Sequence, residues 1–300
     1  MSRLLHLQIA GVHFHIHCDE AQFSTDLAWY LQPFSDSLCS GPGSPNVEVR
    51  LALQGMPEVR HLTKIFDAGQ LWSAYQQGDE RFLSVTYPLS QGRPSRLARF
   101  DRNVHAVTIY SNETPVSCGG DRVEVSNPVR DPLDYLLVMY ALAGAAGLLI
   151  HAAGAGMEGR GVVFAGESGA GKTTLCRQLA EQGGFELLSD DRIAVRKMDG
   201  RFLAFGTPWP GAAGIVRNAS LPLVRILFLS HGDRNSLTDL TKQEAVEKLL
   251  PVTSIPWFDR QIVPMALSFC EELLSHVPAC ELQFTPDTRV VSLLQDLLRS

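Results

Sequence analysis

The chain opens on alternation. Leu5, Leu7 and Ile9 share one face of an extended segment, and Val12, Phe14 and Ile16 resume the period after Ala10-Gly11, which predicts a β-hairpin with one buried face. Residues 19–31 read as a helix, Gly41-Pro42-Gly43-Ser44-Pro45 as a loop, and residues 47–53 as a strand. Further strands are predicted at 83–87, 98–100, 104–110 and 123–125. Residues 1–125 thus read as a small mixed α/β domain with antiparallel strands, bounded near Ser126-Asn127-Pro128.

From 126 to 300 the rhythm differs. Residues 136–150 carry no charge, with Asp131 and Asp134 before them and His151 after. The run is shorter than the ~20 residues a membrane span needs. It reads as a buried helix running into a core strand, with Asp131-Pro132 as N-cap and first-turn proline. Strands follow at 148–152 and 161–165, a helix at 172–182, and strands at 185–189, 193–196 and 223–229. Thr241 and Glu244 form a capping box for a helix over 241–250. Helices at 258–276 and 289–298 flank a strand at 281–284. The fold class is α/β with α+β character.

Composition narrows the class. The chain has 300 residues, 45% hydrophobic and 19% charged, with a formal charge of −6. Such a chain buries a core, and its acidic balance excludes a general nucleic-acid binder. The N-terminus lacks the apolar run of a signal peptide. The six cysteines, Cys18, Cys39, Cys118, Cys176, Cys270 and Cys280, form no C-x-x-C pair. Reduced thiols in a cytoplasmic protein are expected, with no membrane partner.

Lysine is rare, and one of the few sits in the strongest motif. Gly166-Glu167-Ser168-Gly169-Ala170-Gly171-Lys172-Thr173 satisfies the Walker A pattern G-x-x-x-x-G-K-[ST], with Thr174 next. Chance matches are on the order of 0.01 or fewer in such a chain, and the flanking strand and helix are those the motif requires. Glycines let backbone amides approach phosphate oxygens, and a helix N-terminus adds its positive dipole end. Lys172 suits the β- and γ-phosphates of a nucleotide, and the Thr173 hydroxyl suits Mg²⁺. The next strand ends in Asp190-Asp191: one carboxylate can hold metal while the other addresses a substrate hydroxyl as general base. His151 ends the strand before the loop, which gives it a role near the phosphates.

These residues together resemble the catalytic domain of the HPr kinase/phosphorylase family, which has a histidine one strand before the loop and an Asp-Asp pair after it. The resemblance spans roughly residues 130–200. It is greatest to the divergent HPr-kinase-related kinases, because Thr173-Thr174 replaces the family's serine and glutamate and the later arginine-glycine signature is not recognisable. It implies the P-loop kinase fold shared with phosphoenolpyruvate carboxykinase. It also implies ATP and Mg²⁺ as cofactors, Asp190 as base on an acceptor serine, Asp191 as metal ligand and His151 as an aid at the phosphates. Serine kinase activity on a protein or peptide, a precursor-peptide-binding partner and self-association as a homo-oligomer belong to the same implication. A small-molecule kinase, on free serine for example, and a nucleotide-binding regulatory or assembly protein without kinase activity remain alternatives.

Weaker patterns complete the reading. The proline- and glycine-rich segment 206–214, with Trp209, suits a substrate clamp. Arg217 is the candidate for neutralising phosphate charge, with Arg192 and Arg196 also available. His13, His15 and His17 share a strand face that could bind metal or simply be its wetter side. Arg93, Arg96, Arg99 and Arg102 form a basic run, read as either an anion patch or a solvated loop.

Overall fold

The computed structural model describes residues 4–19, 21–23, 27–35, 46–69, 71–86, 94–113, 116–117 and 123–299. The architecture is mixed α/β, with several sheets and five α-helices among the described residues, divided into two units. The first comprises Met1–Gly144 and Pro256–Ile262, the second Ala145–Ile255 and Val263–Ser300.

In the first unit the hairpin forms as the alternation requires. Strands β1 (Leu4–Ile9) and β2 (Val12–Cys18) pair antiparallel, with Ala10 and Gly11 at positive φ in the turn. Of the helix expected over 19–31, the described residues 19, 21–23 and 27–31 are not helical, and residues 20 and 24–26 lie outside the described residues. Instead Phe23 is buried in a short strand, β3 (Gln22–Phe23), and residues 32–34 make one 3₁₀ turn. Then come β4 (Asn46–Ala52), β5 (Thr63–Asp67), β6 (Trp72–Gln77), β7 (Glu80–Val85), β8 (Arg96–Asp101) and β9 (Ala106–Ser111). The large sheet runs β1-β2-β4-β9-β8-β7-β6-β5. It is not purely antiparallel, since β2–β4 and β4–β9 pair parallel. Strands β10 (Val116–Ser117) and β11 (Val123–Val125) form a small sheet with β3.

Helix α1 (Leu133–Gly144) carries the uncharged run and is buried on nearly all sides, which is why it needs no polar face. It packs against β2, and Tyr140 meets the Phe100 ring edge-on at 5.1 Å. The contact boundary therefore falls after Gly144, not near residue 126. Among the described residues no helix is long and apolar enough to cross a membrane. Segment 256–262 is not helical as expected; it belongs to this unit, where buried Asp259 accepts two hydrogen bonds from buried Arg81 at 2.6 and 3.1 Å and one from Tyr140 at 3.2 Å.

The basic run lies on and just after β8 rather than wholly in a loop. Arg96 is buried and donates to Pro128 O and Glu113, Arg99 pairs with Glu80, and Arg93 lies outside the described residues. Nor do the strand histidines gather ligands: no group of three His, Cys, Asp or Glu that could hold a metal occurs among the described residues. The described cysteines, Cys18, Cys176, Cys270 and Cys280, are buried and unpaired, and burial pushes the Cys176 and Cys270 thiols up to about 12.

The second unit is organised by two long strands, β12 (Gly147–Met157) and β17 (Ser220–His231), each shared by two sheets. Between them lie β13 (Arg160–Ala165), α2 (Lys172–Gln182), β14 (Glu186–Ser189), β15 (Arg192–Met198) and β16 (Arg201–Phe205). One sheet joins the first half of β12 through β15 and β16 to the start of β17. The other places β14 on β12, then β13, then β17 in parallel with β13. Beyond β17 it is completed by β19 (Ala279–Phe284) and β18 (Ser236–Asp239).

Helix α2 and the C-terminal helix α5 (Arg289–Arg299) bury Leu175, Cys176, Leu179, Val290 and Leu294 against this second sheet. On the other core side lie α3 (Lys242–Leu249), with the Thr241–Glu244 capping box formed, and α4 (Val263–His276). The parallel pairing of β13 and β17 aims both C-terminal ends the same way, so the loop after β13 emerges beside the end of β17.

Candidate phosphate-loop site

The loop between β13 and α2 has the backbone its glycines permit. Gly169 and Gly171 sit at φ +87° and +99°, a region costly for residues bearing a Cβ. A Cβ on Gly169 would point into open space, whereas one on Gly171 would come within 2.6 Å of the Phe284 ring. Gly171 is the N-cap of α2 and no side-chain hydrogen bond caps the helix there. The first-turn N–H groups and the dipole end are thereby offered to an anion.

Lys172 follows at 7% exposure, its ammonium donating to the carbonyls of Gly166 at 2.7 Å and Glu167 at 2.9 Å. Burial pulls its amine below the usual lysine value, with the Asp191 charge opposing. The loop thus holds a compact cation against its own carbonyls, a position a planar guanidinium would fill poorly.

A cavity of about 350 Å³ opens here. Ser168, Gly169 and Gly171 of the loop and Lys172, Thr173 and Thr174 of α2 form one wall; His151, Asp190, Asp191, Gly211 and Ala212 form the rest. Gly166, Glu167 and Ala170 face a second cavity of about 490 Å³ on the other flank of the loop, and Ser168 and Gly169 border both.

The two aspartates occupy unlike environments. Asp190 is 2% exposed, and both its oxygens are engaged by backbone: Oδ1 accepts from Gly211 N at 2.9 Å and Ile215 N at 3.1 Å, Oδ2 from Ala213 N at 2.6 Å. Its carboxylate staples the segment 211–215 while standing on the cavity wall. Gly211 is required by the same staple, since a Cβ there would lie 2.6 Å from Asp190 Oδ2.

Asp191 is partly exposed. Its Oδ1 lies 3.3 Å from His151 Nε2 and its Oδ2 lies 3.4 Å from Arg192 Nε. His151 reaches it because β12 pairs with β15 at His151↔Arg192. Burial, and then the Lys172 charge, hold the imidazole below the ordinary histidine value against the pull of Asp191.

Other candidates separate. Arg217 lies away from the cavity wall and pairs with Glu186 at 3.3 Å. Arg196 is buried and donates to Ala145 O at 3.3 Å, whereas Arg192 is the arginine brought to Asp191. The segment 206–214 is tied down rather than free: Thr207 Oγ1 donates to Arg192 O at 2.7 Å, and only Gly211 and Ala212 reach the cavity. Sequence reasoning missed the Asp190 staple because three backbone amides leave no residue-type signal.

Comparison with known proteins gives one family match. A family model described as SynChlorMet cassette protein ScmC matches residues 133–265, less than half of the chain but including every residue of this cavity. No curated protein matches.

Proposed function

We propose that the second unit is an ATP- and Mg²⁺-dependent kinase of the HPr-kinase-like type, transferring the γ-phosphoryl group to a hydroxyl, most simply a serine of a protein or peptide. The observation that carries this reading is the shared cavity. The glycine loop with Lys172 and Thr173 and the His151–Asp191 pair line one 350 Å³ space. The order of residues that resembles the HPr kinase family supports it as well.

Such transfer is mostly positioning and charge neutralisation. The loop amides and Lys172 bind phosphate oxygens. The Thr173 hydroxyl and the Asp191 carboxylate are hard oxygen donors, the small protein set that Mg²⁺ takes when phosphates and water complete its shell. When bound, the ion supplies charge neutralisation at the phosphates. The acceptor hydroxyl enters beside His151 and Asp191, and that pair takes its proton, because Asp190 is committed to the 211–215 segment. Arg192, 3.4 Å from Asp191, adds positive charge behind it.

The test is label transfer from γ-labelled ATP, with Mg²⁺, to a panel of serine-containing peptides, candidate proteins and free serine. Labelled peptide or protein supports the reading, and labelled free serine alone moves the acceptor to a small molecule. Tight ATP binding with no labelled acceptor of any kind contradicts a kinase and favours a nucleotide-binding regulator.

A further inference from the structure

The second cavity has no role in the chemistry above, yet it touches the same loop. We propose that it holds the nucleoside of the phosphoryl donor, an inference that rests on the kinase reading of the phosphate loop. The argument begins with direction. His151 and Asp191 stand on the wall of the smaller cavity, so the acceptor hydroxyl and the end of the phosphate chain that it attacks lie there. The chain's other end must leave the loop elsewhere. Ser168 and Gly169 border both cavities, and Gly169 leaves open space where a Cβ would stand. A phosphate chain laid over these two residues passes from one cavity into the other.

The larger cavity has the lining a nucleobase needs. Its apolar surfaces come from Phe228 and Leu229 at the end of β17 and from Pro251 and Val252 after α3. Glu247 and Lys248 of α3 supply a few polar groups at its edge, where an acceptor and a donor can meet ribose hydroxyls or the base's polar atoms. A cavity of 490 Å³ whose lining mixes these apolar surfaces with polar groups falls within the ordinary size range of small-ligand sites. The parallel pairing of β13 with β17 puts the apolar wall next to the loop.

Two measurements test this on the whole chain. Equilibrium titrations compare Mg–ATP with Mg–tripolyphosphate, which keeps the phosphates and lacks the nucleoside. Wild type should bind ATP more tightly, and Pro251→Trp, at an exposed position on the cavity wall, should weaken ATP roughly tenfold while leaving tripolyphosphate almost unchanged. Photolabelling of wild type with 8-azido-ATP should modify peptides carrying residues 228–231 or 247–252, and this arm does not depend on how the variant folds. Labelling confined to other peptides, or equal weakening of both ligands by Pro251→Trp, overturns the nucleoside site but leaves the phosphate loop standing. Failure of wild type to bind either ligand overturns both.

Discussion

Asp190 shows what one buried carboxylate does with three amides. Each N–H that it accepts is a hydrogen bond to a charged group, worth ~1.5–3 kcal/mol, and removing the carboxylate leaves these donors without that partner. Asp190→Ala should therefore cost on the order of 3 kcal/mol or more in stability, read as a lower urea midpoint at unchanged slope. An unfolding free energy within about 0.5 kcal/mol of wild type would show that the staple is dispensable. Asp191→Asn makes the opposite prediction: nearly wild-type stability with label transfer lost, because its partly exposed carboxylate faces the cavity. Transfer at the wild-type rate by Asp191→Asn would remove the acid–base and metal roles together. From the sequence the two aspartates are interchangeable. Their difference comes from residues 211–215, more than twenty positions later, so no local pattern around Ser189 could have separated them.

At the scale of elements, α2 and its loop are where local sequence and tertiary structure agree best. The helix spans Lys172–Gln182 as the pattern predicts, because loop glycines precede it and Gly183 ends it at φ +72°. Gly171 combines a positive φ with the Phe284 ring 2.6 Å from where a Cβ would stand. Gly171→Ala should thus cost roughly 2–6 kcal/mol from strain plus overpacking, and it should weaken ATP binding; Gly183→Ala, at φ +72° and ψ 179° but with open space around it, should cost the roughly 1–3 kcal/mol of backbone strain alone. Equal thermal shifts for the two variants would contradict the packing argument. Elements were less legible where partners are remote. Segment 19–31 has enough apolar residues to imitate a helix, but Phe23 is buried in a strand paired parallel with β11, about a hundred positions on. Arg217 was equally unreadable: its partner Glu186 belongs to a strand that also pairs with β12, and pairing rather than sequence distance decides which arginine reaches Asp191.

The whole molecule is two units whose boundary is not a single point in sequence. The first unit recovers residues 256–262 from late in the chain and fixes them with the buried Arg81–Asp259–Tyr140 cluster. An ion pair formed across 178 positions has no signature in composition or periodicity. Breaking it by Arg81→Ala leaves a buried charge unpaired and should destabilise this unit by ~3–5 kcal/mol. Burial pushes Asp259 up, but its bonds from Arg81 and the Gln261 amide win and hold it below the usual aspartate value. A depressed folded-state pKa stabilises above the unfolded value of about 3.9, and that contribution disappears as pH falls through the folded pKa. Acid titration of the first unit should accordingly show a stability loss below about pH 4 that Asp259→Asn largely removes. A loss of the same size in that variant would assign it to other carboxylates.

The central claim, that the loop after β13 binds nucleotide phosphate through Lys172, is tested most directly by calorimetric titration of Mg–ATP into wild type and Lys172→Ala, both shown by circular dichroism to be folded. The account predicts saturable binding to wild type, weakened roughly 10- to 100-fold in Lys172→Ala, the loss of a charged hydrogen-bonding partner. Equal affinity in the two proteins, or no binding by wild type, would contradict it.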